Sequence, residues 1–112
     1  MKSEKVEAPK HLKPETRAWW KQVTADFALE LHHLRLLQAA CEAWDRLQQA
    51  RETLAADGIV FKDDRGNIRA HPAVAIEKDA RTGFARLLRE LDLDIDAPPQ
   101  SRRPPALVSN RG

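Results

Sequence analysis

The sequence predicts a mainly α-helical chain: a helical hairpin and a C-terminal helix, with a small β-hairpin between the long helix and the last one, and disordered basic ends. Two apolar patterns of helical period carry that reading, one from about Leu31 to Asp57 and one from Ala73 to about Leu93. Between them the pattern changes to strand and turn residues. Of the 112 residues, 42% are apolar and 32% charged, which suits a single small domain, and no apolar run approaches the roughly 20 residues needed to span a bilayer. The expected divisions are a flexible basic arm at 1–13, a helical domain at 14–95 and a Pro/Arg tail at 96–112.

The arm contains Lys2, Lys5, Lys10, His11 and Lys13 with few apolar residues, a composition that does not order itself. It lacks the pattern of a secretory leader, so the expected location is the cytoplasm. Pro14 reads as the first residue of helix one, with Glu15 in the turn where the helix dipole favours an anion. Trp19, Val23 and Phe27 form a buried stripe at i, i+4 and i+8. Trp20 lies about 100° round from it, so a second contact, such as another subunit, is expected there.

The long helix places Leu34, Leu36, Leu37, Ala40, Cys41, Ala43, Trp44, Leu47, Ala50 and Leu54 within an arc of about 200°. One neighbouring helix does not hide so wide an arc. Another copy of the chain is the simplest cover for the surplus, with two helices of the same chain covering the arc together as the alternative. Trp20, Leu34, Leu37, Cys41 and Trp44 are therefore the candidate oligomer contacts. Cys41 is the only cysteine and reads as a small buried hydrophobe.

Gly58 is expected to end the long helix in the left-handed conformation. A β-hairpin at about 59–70 follows: Ile59, Val60 and Phe61 supply one strand, Asp63 to Asn67 the reversal, and Ile68 to Ala70 the return. His71 then caps or packs, and Pro72 starts the last helix. Its face is Ala73, Ile76, Ala80, Phe84, Leu87, Leu88 and Leu91, and Pro98-Pro99 rules out continuation.

No catalytic or metal site is expected. His11, His32, His33, His71 and the series Asp92, Asp94, Asp96 have none of the spacings of HExxH or CxxC sites, and no Gly-rich phosphate loop is present. His32 and His33 should diverge by about 100° on a helix. The charge pattern is more informative. Residues 1–21 hold six Lys/Arg against three Asp/Glu, residues 22–57 three against six, and residues 97–112 three Arg with no acid. Basic ends on an acidic middle suit a polyanion partner at the ends and a protein partner at the body. Lys10, Lys13, Arg17 and Lys21, clustered around the start of helix one, are the candidate phosphate contacts, with Arg17 and Lys21 on one side at i, i+4.

In order and spacing, Trp20, Leu37 with Cys41, Leu54 with Gly58, the turn Asp64-Arg65-Gly66-Asn67, His71-Pro72 and Leu87 to Leu93 resemble the small subunit of phage terminase, of the helical type of tailed phages. The likeness covers roughly residues 12–95. It departs at Asp92-Leu93, where the family commonly ends its last helix in Gly-Leu followed by a proline and an arginine; here Pro98 and Arg102 come later. The resemblance implies a non-catalytic subunit, without cofactor, that assembles as a homo-oligomeric ring in the host cytoplasm. It would bind double-stranded viral DNA and deliver it to the large ATPase and nuclease subunit, which Arg102 and Arg103 of the tail would contact. The alternative is a small dimeric DNA-binding transcriptional regulator.

Overall fold

The computed structural model describes residues 6–93 and 96–99. Three helices and one hairpin follow in the expected order: α1 (Pro14–Asp26), α2 (Leu31–Asp57), β1 (Val60–Lys62), β2 (Ile68–Ala70) and α3 (Pro72–Leu91). Among the described residues no helix is long and apolar enough to cross a membrane.

Helix α2 is the spine. Its apolar arc is shared between α1 on one side and α3 along the other, so Leu37, Ala40 and Cys41 are completely buried and Trp44 and Leu47 nearly so. Phe84 of α3 joins the three helices: its ring centroid lies 4.9 Å from that of Trp44 and 6.3 Å from that of Trp19. The arc is thus covered inside the single chain. Trp20, Leu37, Cys41 and Trp44 are core residues, and of the expected oligomer contacts only Leu34 keeps partial exposure.

The two tryptophans are covered by the chain's own ends. Trp20 is buried under residues 6–12, and its indole N–H donates to the Val6 carbonyl at 3.3 Å. Trp19 donates to the Asp96 carbonyl at 2.9 Å, and Pro98 beside it is buried. Residues 6–13 and 96–99, expected to lie in the ends, thus pack on the helices. Leu12 is 2% exposed and packs in the core, with Ala8 against it, so residues 6–13 belong to the domain. Residues 96–99 belong to it as well, while 1–5 and 100–112 lie outside the described residues. The reason is that large indole surfaces outweigh a polar local composition once a neighbouring segment can reach them.

The hairpin pairs Val60 with Ala70, Phe61 with Arg69 and Lys62 with Ile68. Its reversal is organised by Asp63, whose carboxylate accepts from the N–H groups of Arg65 and Asn67, both at 2.9 Å, and from Arg69 Nε at 2.8 Å. Those bonds, led by Arg69, hold the Asp63 carboxyl below the usual carboxylate range. Gly66, at φ +82°, occupies the position of the turn that a side chain would strain. Gly58 ends α2 at φ +85° and ψ 168°, an extended positive-φ conformation rather than the left-handed helical one expected. His71 caps α3: Nδ1 accepts from Ala73 N–H at 3.0 Å while Nε2 lies 3.0 Å from Asp57 Oδ2, joining the end of α2 to the start of α3. Helix α3 stops at Leu91, two residues early, because Asp92 takes the left-handed conformation that aspartate tolerates.

Candidate nucleic-acid interface

Helix α1 begins at Pro14, and a carboxylate of the fold already lies at its N-terminus. Lys13 has no side-chain cap of its own; instead Asp45 reaches over from α2, accepting from Lys13 N–H at 2.9 Å and from the Thr16 hydroxyl. The carboxylate sets a negative charge beside the positive end of the helix dipole. That cap divides the four candidate phosphate contacts into two kinds.

Lys13 and Arg17 are engaged within the fold. The Lys13 ammonium lies 3.6 Å from Glu52 Oε2. Arg17 Nη1 donates to the carbonyls of Lys10 at 3.1 Å and Leu12 at 2.9 Å, which pins the N-terminal segment to α1. Lys10 and Lys21 are exposed and have no ion-pair partner among the described residues. Lys21 and Arg17 line a shallow groove between α1 and residues 6–8, with Glu7 and Thr24 on its other walls. The guanidinium of Arg17 has five donors, so commitment of Nη1 leaves part of it facing this groove.

The remaining cations are arranged along the other elements. Arg51 of α2 and Arg81 of α3 both approach Glu77 Oε2 at 3.3 Å, closing a bridge between the two helices. Arg81, against the opposing effect of partial burial and with help from Arg51, holds the Glu77 carboxyl below its ordinary range. Lys62 and Arg65 on the hairpin and Lys78, Arg86 and Arg89 on α3 are exposed. Arg102, Arg103 and Arg111 lie outside the described residues.

The histidines do not form a site. His11 Nε2 lies 2.9 Å from Glu42 Oε2, and His33 Nδ1 accepts from the N–H of Glu30 at the start of α2. The rings of His32 and His33 are 4.1 Å apart, closer than helical divergence suggested, because both side chains fold towards that helix start. Among the described residues no three His, Cys, Asp or Glu side chains are grouped to hold a metal ion. Burial, then the nearby carboxylates of Asp45 and Glu42, pushes the Cys41 thiol up to about 12.

Asp45 was invisible to sequence reasoning, since it reads as one of the acids on the polar side of α2 and its partners are 29 and 32 residues away. The hairpin itself was legible, but the exposure of its apolar residues was not. Compared with known families, the chain matches the model of phage terminase, small subunit, over residues 16–105. Neither curated proteins nor solved structures give a match.

Proposed function

The chain belongs to the family of phage terminase small subunits, and from that premise we propose that it is the non-catalytic DNA-recognition and assembly subunit of a viral packaging terminase. In this reading it assembles as a ring in the host cytoplasm, binds double-stranded viral DNA, and delivers it to the large ATPase and nuclease subunit. The family match carries the reading, and the free cations on the α1 side support it.

Binding would proceed through phosphates. Lys10 and Lys21 are exposed and ready, and Arg17 offers its unused donors beside Lys21. The Lys13–Glu52 pair is partly exposed and so worth about 1 kcal/mol or less, so a phosphate can take the ammonium over at little cost. Two to four such contacts bind weakly, each contributing about 0.9 to the salt slope of affinity. A ring repeats them, and linked weak contacts give avidity without base reading. Arg102 and Arg103, basic residues among prolines with no acid beside them, would meet the large subunit.

The test combines native mass spectrometry with fluorescence anisotropy on labelled duplex DNA, with and without the large subunit. The expected result is an assembly of more than two copies that binds duplex DNA and stimulates DNA-dependent ATP hydrolysis by the large subunit. A monomer, or an assembly indifferent to both DNA and the large subunit, overturns the reading.

A further inference from the structure

The hairpin is the one element of the described chain whose two strands are exposed along their whole length. Alternation along the strands sorts its side chains into two faces. Ile59, Phe61, Arg69 and His71 share one, and this face is partly tied down: Phe61 meets His71 edge-on at 6.4 Å, Arg69 binds Asp63, and His71 binds Asp57. Val60, Lys62, Ile68 and Ala70 share the other. There Val60 is 51% and Ile68 68% exposed, and Lys62 has no ion-pair partner among the described residues. A two-stranded hairpin in water is marginal unless another layer covers a face, and strands that face solvent normally carry polar residues there.

A complementary surface exists on the same chain. Between α2 and α3 runs a shallow groove lined by Glu42, Ala43, Arg46, Ile76, Asp79 and Ala80. Two alanines keep its floor low, Ile76 stands 43% exposed at its side, and Asp79 is an exposed acid without an ion-pair partner among the described residues. The groove carries one more negative than positive charge, and on the hairpin Lys62 and Arg65 outnumber the exposed Asp64 by one once Asp63 and Arg69 are paired. The chain's own hairpin does not fill it. No residue of 58–71 lines it.

We propose that the Val60/Ile68 face of one copy's hairpin docks in the α2–α3 groove of a second copy, with Lys62 against the neighbour's Asp79. Two different patches of one chain then meet, so the contact is head-to-tail, and its repetition closes a ring when the rotation permits. A second copy satisfies both surfaces at once, whereas a different partner seated on the hairpin would leave the groove uncovered. The proposal rests on the assembly reading given above and identifies the contact that builds it.

The experiment uses the full chain in two variants: Val60→Glu with Ile68→Glu on the hairpin, and Ile76→Lys with Asp79→Lys in the groove. All four side chains are exposed or nearly half so, so helix content and thermal unfolding of the domain should persist. Native mass spectrometry should find each variant dissociated at concentrations where the wild type is assembled. An equimolar mixture should form a dimer containing one copy of each, because it retains one intact junction. A wild-type monomer overturns both the assembly reading and this contact. A wild-type ring with an unchanged ring in either variant overturns the contact alone, as does a mixture that forms no mixed dimer. Should a variant unfold, the milder exchange decides: Lys62→Glu and Asp79→Lys should each weaken assembly and together restore it, and undiminished assembly in both single variants overturns the contact.

Discussion

Replacing Asp45 by alanine removes the carboxylate that ties α1 to α2. Two bonds are lost, those from Lys13 N–H and from the Thr16 hydroxyl. An N-cap is typically worth about 1 kcal/mol. The Thr16 residue is 1% exposed, so its hydroxyl loses a charged acceptor without gaining water, at a cost of about 1–3 kcal/mol. Together the variant should lose about 3 kcal/mol, which for a domain of this size corresponds to a fall in Tm of roughly 12–24 °C. Urea unfolding followed by far-UV circular dichroism, at fixed protein concentration because assembly adds apparent stability, measures it. Asp45→Asn keeps a carbonyl acceptor and should lose less. Thr16→Val removes the hydroxyl itself, so Asp45→Ala should cost less in that background, with a coupling of at least about 1 kcal/mol. A loss below about 1 kcal/mol for Asp45→Ala, or strict additivity in the cycle, would refute the assignment of Asp45 as the cap.

Lys10→Ala combined with Lys21→Ala should lower the slope of log affinity for duplex DNA against log salt by about 1.8 per bound copy while leaving the oligomer's mass unchanged; an unaltered slope rejects these two contacts. Cys41 should resist thiol reagents in the native state and react at a rate that follows unfolding in urea, since its neutral form is the buried one. Its raised pKa contributes stability that is complete below the ordinary 9.0 and lost as pH rises towards about 12, so Cys41→Ala should have a flatter alkaline limb, and an equal slope contradicts the assignment. Glu77 has the opposite sign. Its depressed pKa contributes stability present above the ordinary 4.5 and lost as pH falls through the lower folded value, so Glu77→Gln should be flatter on the acid limb of urea midpoints against pH.

What was legible in the sequence is what local chemistry decides. The 3.6-residue period located α2 and α3, Pro14 and Pro72 marked helix starts, and Gly66 with its neighbours marked the reversal, because each of these acts within a few residues. The width of the α2 arc was legible too, but not what covers it. Periodicity measures how much surface must be hidden and carries no information on whether α1, α3 or another copy hides it; here Phe84, Trp19 and Leu12 do. Charge suffered in the same way. Lys13 and Arg17 look as free as Lys10 and Lys21 in the sequence, yet Glu52 and the carbonyls of Lys10 and Leu12 engage them in the fold. The hairpin was located and its exposure was not, since β-branched residues favour a strand whether or not something packs on it.

The adjacent tryptophans bear on how the two basic ends are organised. Side chains one residue apart on a helix diverge by about 100°, so Trp19 and Trp20 cannot be covered from one side. The fold covers one with the segment that enters the domain and the other with the segment that leaves it, each fixed by an indole bond to a main-chain carbonyl, of Val6 and of Asp96. Helix α1 consequently anchors the chain on both sides of the domain. The stretch preceding residue 6 carries Lys2 and Lys5, and that following residue 99 carries Arg102, Arg103 and Arg111. Both basic stretches therefore depart from points tied to one short helix, the same helix that presents Lys21. A helix of 13 residues spans only about 20 Å, so the points at which the chain enters and leaves the domain are both set by one short element. The apolar hairpin is attached elsewhere, at the junction of α2 and α3. The chain thus keeps the exposed Lys21 of α1 and the exposed apolar hairpin on different elements, so occupation of one surface leaves the other accessible.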